Sequence, residues 1–291
     1  MLILSILSKE IIMKNLQKRL LIIAVIALAA GFTIYRSALL SVISAVLNRE
    51  GSSHGLFIPF LSAYFVWINW KSLNEIESRY DYIGSPLLVI GLLFPVLSLG
   101  TYHLHFISFI IFLSGLIITF LGRKYYKELS FPLLFLIAMT PLTGSVYQYT
   151  ANITRHITFA GALWIISLFD MPYFRDGWLI QLPNALLEVA TGCSGIRYFI
   201  SYLVFGLAYA YLFRSTTLSR ISVVALTIPI SLLASILRLT AIFVMTYKIS
   251  PYWAQPRPHV LISWSVFFGI LMLSIFLDQY FSTRRKTVRQ D

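Results

Sequence analysis

Eight mostly apolar stretches recur along the chain, near 20–38, 55–70, 82–100, 104–122, 131–149, 192–213, 221–247 and 259–281. Except for the short second one, each has about the 20 residues a helix needs to cross a bilayer. Lipid offers no hydrogen bonds to an unpaired backbone, so runs of this kind fold as helices that satisfy their own N–H and C=O groups. The expected fold is an all-α polytopic membrane protein of about eight transmembrane helices. One membrane domain would occupy 20–281, between a cytoplasmic segment at 1–19 and a basic cytoplasmic tail at 282–291. Composition excludes a soluble alternative: 58% of the 291 residues are hydrophobic and 12% are charged, too few to clothe a water-facing surface. Residues 150–170 are apolar too, but Arg155, His156 and Asp170 interrupt them, which predicts a helix lying in the interface. Just beyond, "RDGWLIQLPN", with Pro172, Gly177 and Pro183, reads as a small hairpin or re-entrant piece resting on the outer face.

The formal net charge of +12 would suit nucleic acid were it not so unevenly placed. With a cytoplasmic N-terminus, fifteen of the 23 Lys and Arg fall inside, while Arg36, Arg49, Arg155, Arg175, Lys248 and Arg257 fall outside. This is the positive-inside asymmetry of a multi-pass membrane protein, and it makes the lipid bilayer, not nucleic acid, the expected partner. Both termini and the loop at 123–130 are expected in the cytoplasm, with 172–190 and 248–258 on the outer side. The first apolar run lacks a small-residue cleavage site and reads as a retained helix, with Met13 an alternative start. A single cysteine excludes an intrachain disulfide and a Cys-rich metal site. His103 and His105 form an H-x-H in the predicted loop before the fourth helix, and without a third ligand nearby they read as interfacial residues. No metal or cofactor is expected.

Three residues sit where a membrane protein rarely places them without cause. Arg238, in "SLLASILRLTAIFVMTY", lies about nine residues from the outer end of the seventh stretch, roughly 13 Å deep. An arginine there costs about 2.5–3.5 kcal/mol on insertion scales and faces a protein interior. It serves either as a snorkelling or structural cation or as the countercharge of an anion at the site. Cys193, in "EVATGCSGIRYF", stands at the outer start of the sixth stretch, where exposed N–H groups and the helix dipole favour a thiolate. Gly192 and Gly195 bracket it, allowing close approach by another backbone, and Arg197 follows one turn later. Taken alone, such a cysteine is an inert small hydrophobe. His259 opens the eighth stretch after a Pro-rich outer loop. It reads as a polar anchor or as the base that thiol chemistry needs. The three residues share a membrane face on consecutive helices. His54, beside Gly55 at the outer start of the second helix, lies on the same side.

The blocks "VATGCSGIRYFISYLVFG", "PISLLASILRLTAI" and "HVLISWSVFFGILML" resemble the exosortase and archaeosortase family of membrane transpeptidases, and the order Cys, Arg, His matches its exosortase branch. The similarity extends to "SSHGLFIPFLSAYFVW", "FPLLFLIAMTPL" and "WLIQLPNALLEVA", covering about residues 50 to 280. One position departs: where the family often has Asn three residues before the arginine, this chain has Ser235. The resemblance implies a bacterial inner-membrane cysteine peptidase or transpeptidase, with its active site toward the periplasm. Its substrates would be membrane-anchored exported proteins with a C-terminal sorting signal: a Pro-Glu-Pro-like motif, one transmembrane helix and a basic tail. It implies Cys193 as nucleophile, His259 as base and acid and Arg238 as holder of the thiolate or the tetrahedral oxyanion, supported by Arg197, Ser235, Ser194, Gly192 and Gly195. The acyl acceptor on the outer face is left unidentified.

Two other classes compete. Gly192-Cys193-Ser194-Gly195 also fits the G-x-S-G of rhomboid intramembrane serine proteases, with Ser194 as nucleophile, although no A-H-x-x-G surrounds His259. A transporter or lipid-linked glycan flippase would place carboxylates at mid-membrane and often repeats its halves, and neither feature is present in the sequence. A polysaccharide polymerase shares the hydrophobic and basic composition.

Overall fold

The computed structural model describes residues 25–27, 29–47, 53–97, 102–140, 142 and 144–287. The chain divides into two compact units, Met1–Pro141 and Leu142–Asp291. Segment 1–19, the alternative start Met13 and the basic residues Arg49 and Arg289 lie outside the described residues.

The first unit is helical. It comprises α1 (Val25–Leu47), α2 (Phe57–Ile68), α3 (Trp70–Asn74), α4 (Ser85–Leu97), α5 (Tyr102–Leu121) and α6 (Arg123–Phe135), which tightens into a 3-10 turn at Leu136–Met139. Small residues let α4 and α5 approach closely: a Cβ on Gly91 would lie 2.6 Å from the Phe112 backbone, and one on Gly115 would lie 2.4 Å from Leu88. Such contacts replace the hydrophobic drive that lipid cannot supply between helices. Tyr35 on α1 and Ser108 on α5 both donate to the Gly91 carbonyl of α4, Ser108 at 2.8 Å. At one end, Asp81 accepts from the Ile83 N–H and from the Arg123 guanidinium at 2.6 Å. The backbone donor, foremost, and the arginine hold its carboxyl below the usual carboxylate range.

The second unit carries every residue singled out for chemistry. It comprises α7 (Gly144–Ser167), strands β1 (Phe174–Asp176), β2 (Leu179–Leu182) and β3 (Ala185–Glu188), a 3-10 turn at Thr191–Cys193, α8 (Ile196–Phe213), α9 (Thr217–Lys248), a second such turn at Pro251–Ala254, and α10 (Pro256–Thr287). Helix α9 packs against α7, α8 and α10. The strands form an antiparallel meander, β1-β2-β3, with Arg175 opposite Ile180 and Ile180 opposite Leu187. Ile180 and Leu182 are fully buried in a cluster with Phe159, Leu163 and Ile166 of α7 and Phe243 of α9. The Asn184 amide, in the β2–β3 turn, donates to the Thr246 and Tyr247 carbonyls at 2.9 and 3.3 Å, satisfying acceptors that the end of α9 leaves open. Where α8 ends, Arg214 pairs with Asp278 of α10, which also accepts from the Tyr209 hydroxyl at 2.6 Å.

All eight apolar stretches contain helix, but their lengths differ from expectation. Among the described residues, five helices are long and apolar enough to cross a membrane, namely α1, α5, α8, α9 and α10, or six if Arg123–Met139 and Gly144–Ser167 count as one broken span. Helices α2 and α4, with 12 and 13 residues, are shorter. The stretch expected as one helix at 131–149 is interrupted: Thr140 is extended, as a residue before proline prefers. A continuous α7 then absorbs the expected interfacial helix at 150–170. Helix α1 runs on to Leu47, past the expected end near residue 38, so Arg36 lies well within the helix rather than near its outer end. His103 and His105 belong to the first turn of α5, not to a loop.

Candidate active site

Helix α8 was expected to begin at about residue 192, but it begins at Ile196. Cys193 ends the 3-10 turn Thr191–Cys193, Gly192 lies at the middle of that turn, and Ser194 and Gly195 separate the turn from the helix. The Cys193 side chain lies outside what the structure describes. Gly195 has φ +85°, a left-handed conformation that L-residues with a Cβ adopt only under strain. It also makes a close approach: a Cβ there would sit 2.5 Å from Ser235 Oγ and 3.2 Å from Thr158 Oγ1. Ser194 is fully buried. Its Oγ accepts from the Ile196 N–H, and its carbonyl accepts from the Thr158 hydroxyl, each at 3.4 Å. The cysteine loop is thus seated between α7, at Thr158, and α9, at Ser235.

Ser235 and Arg238 lie one turn apart on the same face of α9 and are both buried, 1% and 3% exposed. The Ser235 hydroxyl donates to the Ser231 carbonyl of its own helix at 2.8 Å. The Arg238 guanidinium lies over the Tyr198 ring of α8, 5.0 Å from its centroid, a cation–π contact that strengthens away from water. The Tyr198 hydroxyl donates to the Ser263 carbonyl of α10, and the Ser263 hydroxyl donates to the His259 carbonyl at 2.7 Å. His259 occupies the first turn of α10 and is half-buried. Arg197, the second residue of α8, is half-buried as well. One end of α8, α9 and α10 therefore gathers two guanidinium groups and an imidazole beside the cysteine loop.

Three contributors were missed from sequence. Thr158 lies in an apolar stretch with no motif around it. Tyr198 and Ser263 read as ordinary aromatic and small helix residues. The available signal was spacing at Ser263, which follows His259 by one helical turn; Tyr198 carried none.

Gly195→Ala should lower the thermal midpoint markedly, by strain of about 1–3 kcal/mol plus a clash with Ser235. Gly177, at φ +56° with nothing within 4 Å of its would-be Cβ, supplies the control. Gly177→Ala should lose the strain term alone in the same detergent melt, and equal losses at both positions would mean that the Gly195–Ser235 contact carries no weight.

A family model described as transmembrane exosortase matches residues 46–276. No curated protein matches the chain, and no solved structure does.

Proposed function

Because the chain belongs to the transmembrane exosortase family and is accordingly a multi-pass membrane protein of transpeptidase type, we propose that it is a cysteine transpeptidase. In this reading it cleaves C-terminal Pro-Glu-Pro-type sorting signals of exported, membrane-anchored proteins through a thioester. The observation that carries this reading is the packing of the cysteine loop on α9 at Ser235, one turn from Arg238, with His259 linked through Ser263 to the Tyr198 that underlies that arginine.

In the proposed reaction, the Cys193 thiolate attacks the scissile carbonyl to form an S–C bond, and negative charge develops on the carbonyl oxygen. The Arg238 guanidinium offers planar N–H donors to that oxyanion, held in place by the Tyr198 ring. When the C–N bond breaks, protonated His259 gives its proton to the departing amine, and the tail leaves. An acceptor nucleophile on the outer face then loses its proton to His259, attacks the thioester and regenerates the thiolate. Water in place of the acceptor would yield hydrolysis. The charge asymmetry supports cytoplasmic termini and an active site toward the periplasm of a bacterial inner membrane. The full burial of Ser194 and its hydrogen bond from Ile196 favour Cys193 over a rhomboid-like serine nucleophile.

The test is reconstitution of the full chain in proteoliposomes with a reporter ending in Pro-Glu-Pro, an apolar helix and an Arg-rich tail. Release of the tail, with a reporter–enzyme adduct that hydroxylamine discharges, is the expected result. A correctly inserted protein that leaves the reporter intact would refute the reading.

A further inference from the structure

Helix α7 buries one stripe, Ala151, Thr154, Arg155, Thr158, Phe159 and Ala162 among it, with the 3-4 spacing of a packed helix face. A cation stands within that stripe. Arg155 is 8% exposed, although the sequence had placed it in the outer loop region. Its guanidinium carbon lies over the Trp178 ring, 4.0 Å from the centroid. The His156 ring meets the same indole edge-on at 4.5 Å, and Phe159 lies 6.0 Å from it.

Both members of this stack are tied to the cysteine loop, and by separate routes. Thr158, one turn beyond Arg155 on the same face of α7, donates to the Ser194 carbonyl. The Trp178 carbonyl accepts from the Val189 N–H at 3.0 Å, in the segment that leads from β3 into Thr191–Cys193. Stacking on an indole uses the face of the guanidinium and orients its N–H edge, the edge that grips a carboxylate in bidentate fashion. Three residues of helix span about 4.5 Å, so Arg155 stands one helical turn from the residue that holds the Ser194 carbonyl.

We propose that Arg155, held on Trp178, is the specificity residue that takes an acidic side chain of the substrate peptide next to the scissile bond. This rests on the peptidase reading above and adds to it the residue that reads the sorting motif. The ties of Thr158 and Trp178 to the cysteine loop favour a peptide carboxylate over a lipid phosphate, because the substrate peptide must come to that loop to react.

The experiment measures kcat and KM for the wild-type chain, Arg155→Gln and Arg155→Lys in proteoliposomes, on reporters with Pro-Glu-Pro, Pro-Gln-Pro or Pro-Lys-Pro. The expected loss of kcat/KM for Arg155→Gln on the Glu reporter is about 10- to 100-fold, the range for a hydrogen bond to a charged group. The same variant should show little further loss on the Gln reporter, as coupled partners do in a double-mutant cycle. Arg155→Lys, with a melting midpoint near that of wild type, should recover part of the rate on the Glu reporter only. Equal losses on all three reporters would overturn the assignment and make Arg155 structural. Losses that follow the phosphatidylglycerol content of the vesicles and not the reporter residue would overturn it in favour of a lipid phosphate. Wild-type protein that processes no reporter would sink the peptidase reading and this one together, whereas active wild type with reporter-independent losses sinks only this one.

Discussion

Cys193→Ala should abolish processing of the tailed reporter, a fall of about 10⁴-fold or more, as when a catalytic nucleophile is removed from a triad-type enzyme. Cys193→Ser should retain little or nothing. A thiol ionises far more readily than a hydroxyl, and the arginine charges next to this loop favour the thiolate further. A serine would instead need a base aligned to take its proton in the transition state. Ser194→Ala should remain active. Its hydroxyl is fully buried and accepts from the Ile196 N–H, so the substitution removes a helix-start hydrogen bond worth about 0.5–2 kcal/mol and shows itself in the melting midpoint. Thiol alkylation gives an independent reading, since labelling of Cys193 should slow when the tailed substrate is present. A dead Ser194→Ala beside an active Cys193→Ala, both stably inserted, would transfer the nucleophile to Ser194 and the protein to serine-protease chemistry.

Arg238→Lys should reduce kcat by about 10²–10³-fold, the loss seen when one oxyanion donor is removed, while the protein still accumulates in the membrane. Lysine keeps the charge but replaces a planar fork stacked on Tyr198 with a point charge on a flexible stem. The loss should appear in kcat more than in KM, because the oxyanion exists only in the transition state. Normal turnover by the lysine variant would remove the oxyanion assignment and leave only a general electrostatic role.

Much of this protein was legible before any coordinates. Hydrophobic runs of bilayer length admit only helices in lipid. The uneven placement of Lys and Arg supplied an expected orientation. An arginine deep in a span stood out because burying it demands a reason, and a cysteine bracketed by glycines stood out by its place at an expected helix start. These inferences need only local composition, which is why they were within reach.

Where helices begin and which faces meet depended on contacts distant in sequence. A glycine at position 195 has many uses in sequence, and only Ser235 of α9, 40 residues on, shows why no Cβ fits there. That left-handed residue moves the start of α8 to Ile196 and sets Cys193 in a turn before the helix. Arg155 looked like a surface cation of an interfacial helix because composition marks only that a charge interrupts an apolar run, and Trp178 makes it a buried one. The same holds for Tyr198, an ordinary helix aromatic until Arg238 is laid on its ring and the Ser263 carbonyl accepts its hydrogen bond. Sequence marks residues that are costly to bury, whereas the groups that make the burial tolerable are chemically unremarkable and are identified only by packing.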